Sequence, residues 1–340
     1  LCEVEKKNNT QASQNFSDNN GQQQDSNSFN SNQNQQQQPT GIPESDPGAE
    51  NVYIYVLDVT PENQRVVRIE DLTGKGVVSY GNRGSGVNQF DVKDLSPHFA
   101  VDSKGRIYIP DTRNSRIIRV DDMTGKGWVT YSTSGKSISP NAVRLDSQER
   151  IYVLEQGLAQ VMRFDDMTGK NLVAFGKPGT NIKDWPPNSE ANCETGPAPG
   201  TYHDDAAVNV FYFPKALEVD SQDRIYVSDK CNYRIVRFDD MTGKGWVSFG
   251  GKRGSGVGEF GDELNGIAVG PDGRIYIADE HNQRIVRIDD MTGKGWIAFG
   301  SEGSGVNQFN QPHDIAISKS GKIYVADTFY NDRVVRFDDM

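Results

Sequence analysis

His98 and His313 each stand directly after a proline, and so does Glu44, whose Pro43 precedes Ile54 by the interval that separates Pro312 from Ile323. Two imidazoles and a carboxylate are sufficient chemistry for zinc, with a coordination position left for water. Asn141 and Lys215 also follow prolines. A lysine at the same level repels a metal, so a polar mouth with hydrated histidines competes with the metal site as a reading. Calcium has a separate candidate in the Asp-Asp pairs at 121–122, 165–166, 239–240, 289–290 and 338–339. A lone turn with two carboxylates falls short of the roughly six to eight oxygens that calcium takes, and solvated turn chemistry is the better reading. There is no G-x-S-x-G elbow, phosphate loop or H-E-x-x-H, so any active site must be assembled from distant segments.

A repeat is what could assemble them. The phrases IYVSDKCNYRIVRFDDMTGKGWVSFG from Ile225 and IYIADEHNQRIVRIDDMTGKGWIAFG from Ile275 are near copies, and the opening Ile recurs at Ile54, Ile107, Ile151, Ile225, Ile275 and Ile323. Periods of about 40–50 residues made of short strands mark a propeller. Ile225-Tyr226-Val227, Arg234 to Phe238 and Trp246 to Phe249 are β-branched and aromatic runs separated by a polar loop and a Thr-Gly-Lys-Gly turn. Lys215 to Val219 supplies a preceding strand, as do the stretches after Pro97, Pro140 and Pro312. The spacing predicts an all-β, six-bladed propeller of four-stranded antiparallel blades.

Strand a is innermost in such a blade. The residues after the aligned prolines therefore ring the channel mouth in the order Glu44, His98, Asn141, Lys215, Asn265 or Gly266, and His313, which places His313, Glu44 and His98 on three consecutive blades. Asp58, Asp111, Asp229, Asp279 and Asp327, with Glu155 as substitute, recur after strand b, and an arginine opens most c strands. Such copies argue for a task needed once per blade, a loop-fixing hydrogen bond or an Asp–Arg pair, rather than catalysis.

The pattern IYVaD, NxR, IvRfD, with Gly-Ser-Gly-Val-Asn-Gln-Phe between blades (Gly84 to Phe90, Gly303 to Phe309, and a variant from Gly254 to Phe260), resembles NHL-repeat propellers over roughly residues 42–340. The resemblance implies the fold. RNA-binding, protein-binding and catalytic members share it, so it does not choose a function. Pro312-His313-Asp314-Ile315-Ala316 is similar to the metal-binding strand of peptidylglycine amidating lyases, NHL propellers that hold zinc with three histidines. Here only two histidines match and Lys215 departs from the pattern.

The insertion 177–213 breaks the repeat and carries Trp185, Tyr202, His203, Asp204 and Asp205, which together with Lys215 form a candidate partner-binding set. The competing reading is a drifted surface loop. His203 could also swing towards the channel, whereas His281 occupies an ordinary b-to-c loop and reads as structural. Cys193 lies in the insertion and Cys231 in the b-to-c loop of blade four. Because d-to-a connections and b-to-c loops emerge on the same face, the two thiols belong together there. A disulfide would pin the insertion and would require an oxidising compartment; two unrelated thiols are the other reading.

Residues 1–41 read as a disordered tether, since 19 of the 33 residues from Asn8 to Thr40 are Asn or Gln and cannot bury enough apolar surface to offset chain entropy. Cys2 ahead of this tract resembles a bacterial lipoprotein after removal of its signal peptide, with Leu1 unusual before a lipidated cysteine; a free thiol at a fragment end competes. The net charge of −11 speaks against nucleic acid as a partner. The expected function is an exported or surface-tethered binding or scaffold propeller, extracytoplasmic (cell surface, periplasmic or secreted), recognising a protein or cell-surface component on the insertion's face. The only expected membrane contact is a lipid anchor. The alternative is a metal-dependent lyase or hydrolase at the channel mouth, using zinc or calcium. Blade six has sequence for three strands up to Met340, so Arg333 to Asp339 is expected as an edge in a chain that continues further. The first strand of blade one is expected near 44–49.

Overall fold

A computed structural model describes residues 3–6, 52–60, 63–92, 97–133, 138–178, 193 and 208–340. Blade one comprises strands a to d at Glu3–Lys6, Val52–Val59, Gln64–Ile69 and Val78–Tyr80. Blade two has Ala100–Val101, Ile107–Asp111, Arg116–Val120 and Val129–Tyr131, and blade three Pro140–Leu145, Ile151–Glu155, Gln160–Phe164 and Val173–Phe175. Blade four follows with Pro214–Val219, Ile225–Asp229, Arg234–Phe238 and Val247–Gly250, then blade five with Leu264–Val269, Ile275–Asp279, Arg284–Ile288 and Ile297–Phe299. Blade six has Pro312–Ile317, Ile323–Asp327 and Arg333–Phe337. The six-bladed all-β propeller is therefore observed, with five four-stranded sheets and one three-stranded sheet, all paired antiparallel. No helix among the described residues is long and apolar enough to cross a membrane.

The Ile-Tyr-Ile character of each strand b follows from burial on both faces. Successive side chains point to opposite sides of a strand, so Ile107 and Ile109 pack against Tyr55, Leu57 and Val66 of blade one, while Tyr108 packs against Val143, Ile151 and Val153 of blade three. The phenylalanine closing each Gly-Ser-Gly-Val phrase is a wedge between blades. Phe90, Phe260 and Phe309 are fully buried, and Phe211 holds the same place between blades three and four. At Gly81, with φ +103°, a Cβ would meet the Phe90 ring, so only glycine fits between strand d and the wedge. At the closing junction, among the described residues, Ile54 of blade one and Tyr324 of blade six are the buried pair, flanked by half-buried Val56, Ile69, Ala316 and Val334.

Two expectations change at this junction. Part of the tract read as a tether, Glu3–Lys6, is strand a of blade one, pairing Glu3 with Tyr55 and Lys6 with Val52. The inner edge of strand b has backbone groups to satisfy, and a four-residue strand does this without the long apolar run that composition would reveal. The stretch 44–49, expected in that role, and residues 7–41 lie outside the described residues. The edge at Arg333–Phe337 is as expected: it is outermost in its sheet and only half-buried, unlike strands c of blades four and five.

The recurring acid after strand b does both tasks proposed for it and also fastens the blades to each other. Asp229 is fully buried; its Oδ2 accepts from Asn232 Nδ2 at 2.7 Å and Arg234 Nε at 2.9 Å, and its Oδ1 from the Tyr212 amide at 2.5 Å. Asp111, Asp279 and Asp327 repeat the set with Asn114 and Arg116, Asn282 and Arg284, and Asn331 and Arg333, and they take the amides of Asp91, Gly261 and Asn310. The same Asn and Arg then reach the preceding d-to-a turn, as when Asn114 donates to Gly84 O and Arg116 to Gln89 O. Removing one member of a buried pair strands the other, so Asp229→Ala should destabilise the ring by about 3–5 kcal/mol in urea unfolding. The exposed Asp240→Ala should change stability by under about 1 kcal/mol.

Candidate functional site

The channel mouth is built by strands a together with the short turns after strands b. Leu264 pairs with Asp279 as Pro214 pairs with Asp229, so leucine replaces the proline in blade five and Asn265, not Gly266, is the ring residue. His98 departs from the expected level. Strands a of blades three to six carry a bulge after their first residue. The blade-two segment is one residue shorter, and His98 lies opposite Ala142, donating to Asn141 O at 2.9 Å and accepting from Val143 N at 2.8 Å. That is one residue deeper than the ring, at the height of Asp314 rather than His313.

His98 Nδ1 accordingly lies 2.7 Å from Asp314 Oδ2, both side chains being buried. Its Nε2 is buried without a hydrogen-bond partner among the described residues. Burial holds the His98 imidazole below its usual pKa, against the pull of Asp314. Beside this pair Arg144 Nε reaches Glu218 Oε2 at 2.9 Å and Asn141 Nδ2 donates to Lys215 O at 2.6 Å, linking blades three and four. At the mouth itself Glu280, in the b-to-c turn of blade five, accepts from Asn265 Nδ2 and lies 3.7 Å from His313 Nε2. Lys230 Nζ, in the corresponding turn of blade four, lies 2.6 Å from Glu263 Oε1. Burial, aided by the negative charge of Glu263, pushes Glu280 up to about 7, while burial and the nearby His98 drive His313 down to about 3.

Among the described residues no three His, Cys, Asp or Glu side chains converge as a metal site. Of the proposed ligands His98 and His313 share the channel at different depths, and Glu44 lies outside the described residues. Cys193 and Cys231 form a disulfide with Cα atoms 5.2 Å apart, so one point of the insertion is fixed to the b-to-c turn of blade four. Trp185, Tyr202, His203, Asp204 and Asp205 of the candidate partner set, and Cys2, lie outside the described residues; Lys215 is in the ring. The Asp-Asp turns are as read from the sequence: Asp240 Oδ1, for example, accepts the Thr242 amide and hydroxyl at 2.8 and 2.5 Å. Sequence reasoning missed Glu280, since nothing in Asp-Glu-His-Asn marks a loop acid that turns inward, and it missed the Arg144–Glu218 pair.

Residues 211–238, 262–288 and 309–337 match the NHL repeat model. The chain is a six-bladed propeller that carries three NHL repeats. No curated protein sequence matches it significantly. Similar solved structures include virginiamycin B lyase from Staphylococcus aureus, 14% identical over 85% of this chain and 81% of that one with a TM-score of 0.50. A streptogramin B lyase is 13% identical over 85% and 79% with a TM-score of 0.50. The nidogen/laminin complex contains a chain 13% identical over 85% and 86% with a TM-score of 0.53. At such identities the likeness is one of fold.

The mouth's two titrations run in opposite directions. Glu280 binds its proton more tightly folded than unfolded, so its burial costs stability above about pH 7 and this cost fades as pH falls towards 4.5. His313 stays neutral when folded, so stability is lost as pH drops below 6.5 towards 3. Glu280→Gln should raise Tm over the parent at pH 8, by the equivalent of up to about 3 kcal/mol, with the advantage gone at pH 4.5. Thermal melts of both proteins across that range check it.

Proposed function

We propose that this chain is a binding or scaffold propeller, exported or held at a cell surface, that recognises a protein or other cell-surface component with the face bearing the 177–213 insertion. The observation that carries this reading is the Cys193–Cys231 disulfide. It ties a long insertion to a b-to-c turn beside the channel mouth, and loops on a rigid scaffold commonly carry recognition. A disulfide also persists chiefly in oxidising compartments, which supports an extracytoplasmic location. Cys2 as a lipid anchor would supply the tether. The occurrence of this fold in a complex between nidogen and laminin fits a binding role and names no partner for this chain.

A metal-dependent lyase or hydrolase is the second reading, favoured by one observation. The His98 Nδ1 contact with Asp314 leaves a buried Nε2 without a partner among the described residues, and a carboxylate behind an imidazole is how proteins orient a metal-ligating histidine. His98, His313 and Glu44 would hold zinc, which would supply a Lewis acid and an activated water. Lys215 opposes a cation there.

A photoreactive side chain at Val257, on the insertion face, should cross-link a discrete protein when the chain is displayed to the surface and secreted fractions of the cells that make it. The same group at Asp272, on the opposite face, should not. Equal labelling from both faces would contradict the binding face. Stoichiometric zinc or calcium in purified protein, lost in a His98→Ala, His313→Ala double variant, would favour the enzyme.

A further inference from the structure

The b-to-c turns of blades two to five are nearly uniform, and that of blade six departs from them. In blades two to five each has one residue with a left-handed backbone just before strand c: Ser115, Ala159, Tyr233 and Gln283. Asp332 holds that place in blade six. In blades two, four and five the arginine follows the buried aspartate at a fixed spacing, Asp111 to Arg116, Asp229 to Arg234 and Asp279 to Arg284, whereas Asp327 to Arg333 is one residue longer. The extra residue creates a second left-handed position at Phe329, φ +63°, a conformation that bulky side chains avoid. It also puts Phe329 and Tyr330 outside, 53% and 72% exposed, with their rings 5.7 Å apart.

The turn is nonetheless well held. The Thr328 amide donates to Gln311 O at 3.2 Å and the Tyr330 amide to Thr328 O at 2.7 Å, while Asn331 and Arg333 fasten the Gly303 to Gln308 turn. That turn presents Val306, 90% exposed. Exposed valines at its tip are a property of the repeat, since Val87, Val208 and Val257 occupy the same place elsewhere; the aromatic pair is particular to blade six. Two exposed carboxylates stand on the two turns that Asn331 joins. Asp332 follows on the same turn and Glu302 precedes Gly303, whose carbonyl Asn331 binds; both are exposed. Arg333, which follows Asp332, is committed to Asp327 at 2.9 Å.

We propose that Phe329 and Tyr330, with Val306, Asp332 and Glu302 around them, are a docking point for a basic polypeptide segment, whose arginine or lysine side chain lies against the two rings while the carboxylates face its charge. A guanidinium or ammonium over an aromatic face is attracted by the ring's negative quadrupole, and a rigid aromatic presented at little entropic cost is the usual anchor of an interface. The net charge of the whole chain, −11, draws the same kind of partner. This deepens the binding reading above by naming the partner's chemistry and a second contact on the same face.

The test uses the full chain with its disulfide intact and a fluorescein-labelled peptide, acetyl-Gly-Gly-Arg-Gly-Arg-Gly-Gly-amide, alongside the same peptide with citrulline for arginine. Saturable binding of the arginine peptide that weakens with salt is expected, with Kd rising about two- to fivefold in both Phe329→Gly and Tyr330→Ala and less in Asp332→Asn. Glycine suits the left-handed backbone, so Phe329→Gly should keep or raise Tm, which separates a lost contact from a lost fold. Equal binding of the citrulline peptide, or unchanged Kd in Phe329→Gly, would overturn the docking point. Arginine-peptide binding that survives while Val257 cross-links nothing would uphold it and count against the wider reading.

Discussion

A carboxylate that ends strand b in the middle of a ring of β-sheet has no water to solvate it, and burial by itself pushes Asp111, Asp229 and Asp279 towards protonation. Desolvating an ion costs roughly several kcal/mol, which only good geometry and satisfied lone pairs offset. Here the partners are several: one oxygen takes the amide of the incoming d-to-a segment, the other takes Asn and Arg from the turn that follows, and the arginine reaches on to a carbonyl of the neighbouring segment. The network therefore couples the position of each blade to that of the next. Its strength lies in the neighbours it connects, because a half-made version would be worse than an apolar substitute.

Because these locks sit where strand b meets its turn, they rigidify one face and leave the other to ordinary Asx turns. The rigid face is where the ring narrows to the polar mouth, where the disulfide lands, and where blade six departs from its siblings. Glu280 and Lys230 belong to the same turns that the locks hold, so the chemistry of the mouth is positioned by the scaffold's own fastening. The blade-six turn shows the converse. Its lock is intact across one extra residue, so the strain of the insertion is expressed outward, in Phe329 and Tyr330.

Periodicity made the ring legible, since six Ile-Tyr phrases can pack only by stacking, and topology made the Cys193–Cys231 pairing legible as one of two readings. The misses share a physical cause: they depend on single-residue offsets that composition does not encode. His98 sits one level too deep because its strand lacks the bulge that strands a of blades three to six have. Glu3–Lys6 is a strand because an unsatisfied inner edge lies beside it, not because its own residues call for one. The blade-six turn was visible as a spacing, Asp327 to Arg333 against Asp279 to Arg284, but a repeat read for its regularities hides its exceptions.

Native-state hydrogen exchange tests most directly whether the face bearing the b-to-c turns is a stapled, rigid surface. The amides of Asp91, Tyr212, Gly261 and Asn310 belong to connecting segments and donate to buried carboxylates. They should exchange only through global unfolding, as slowly as the amides of strands b, while the c-to-d turn amides of Thr124, Thr242 and Thr292 exchange through local opening. Fast, locally gated exchange at those four amides would contradict the account.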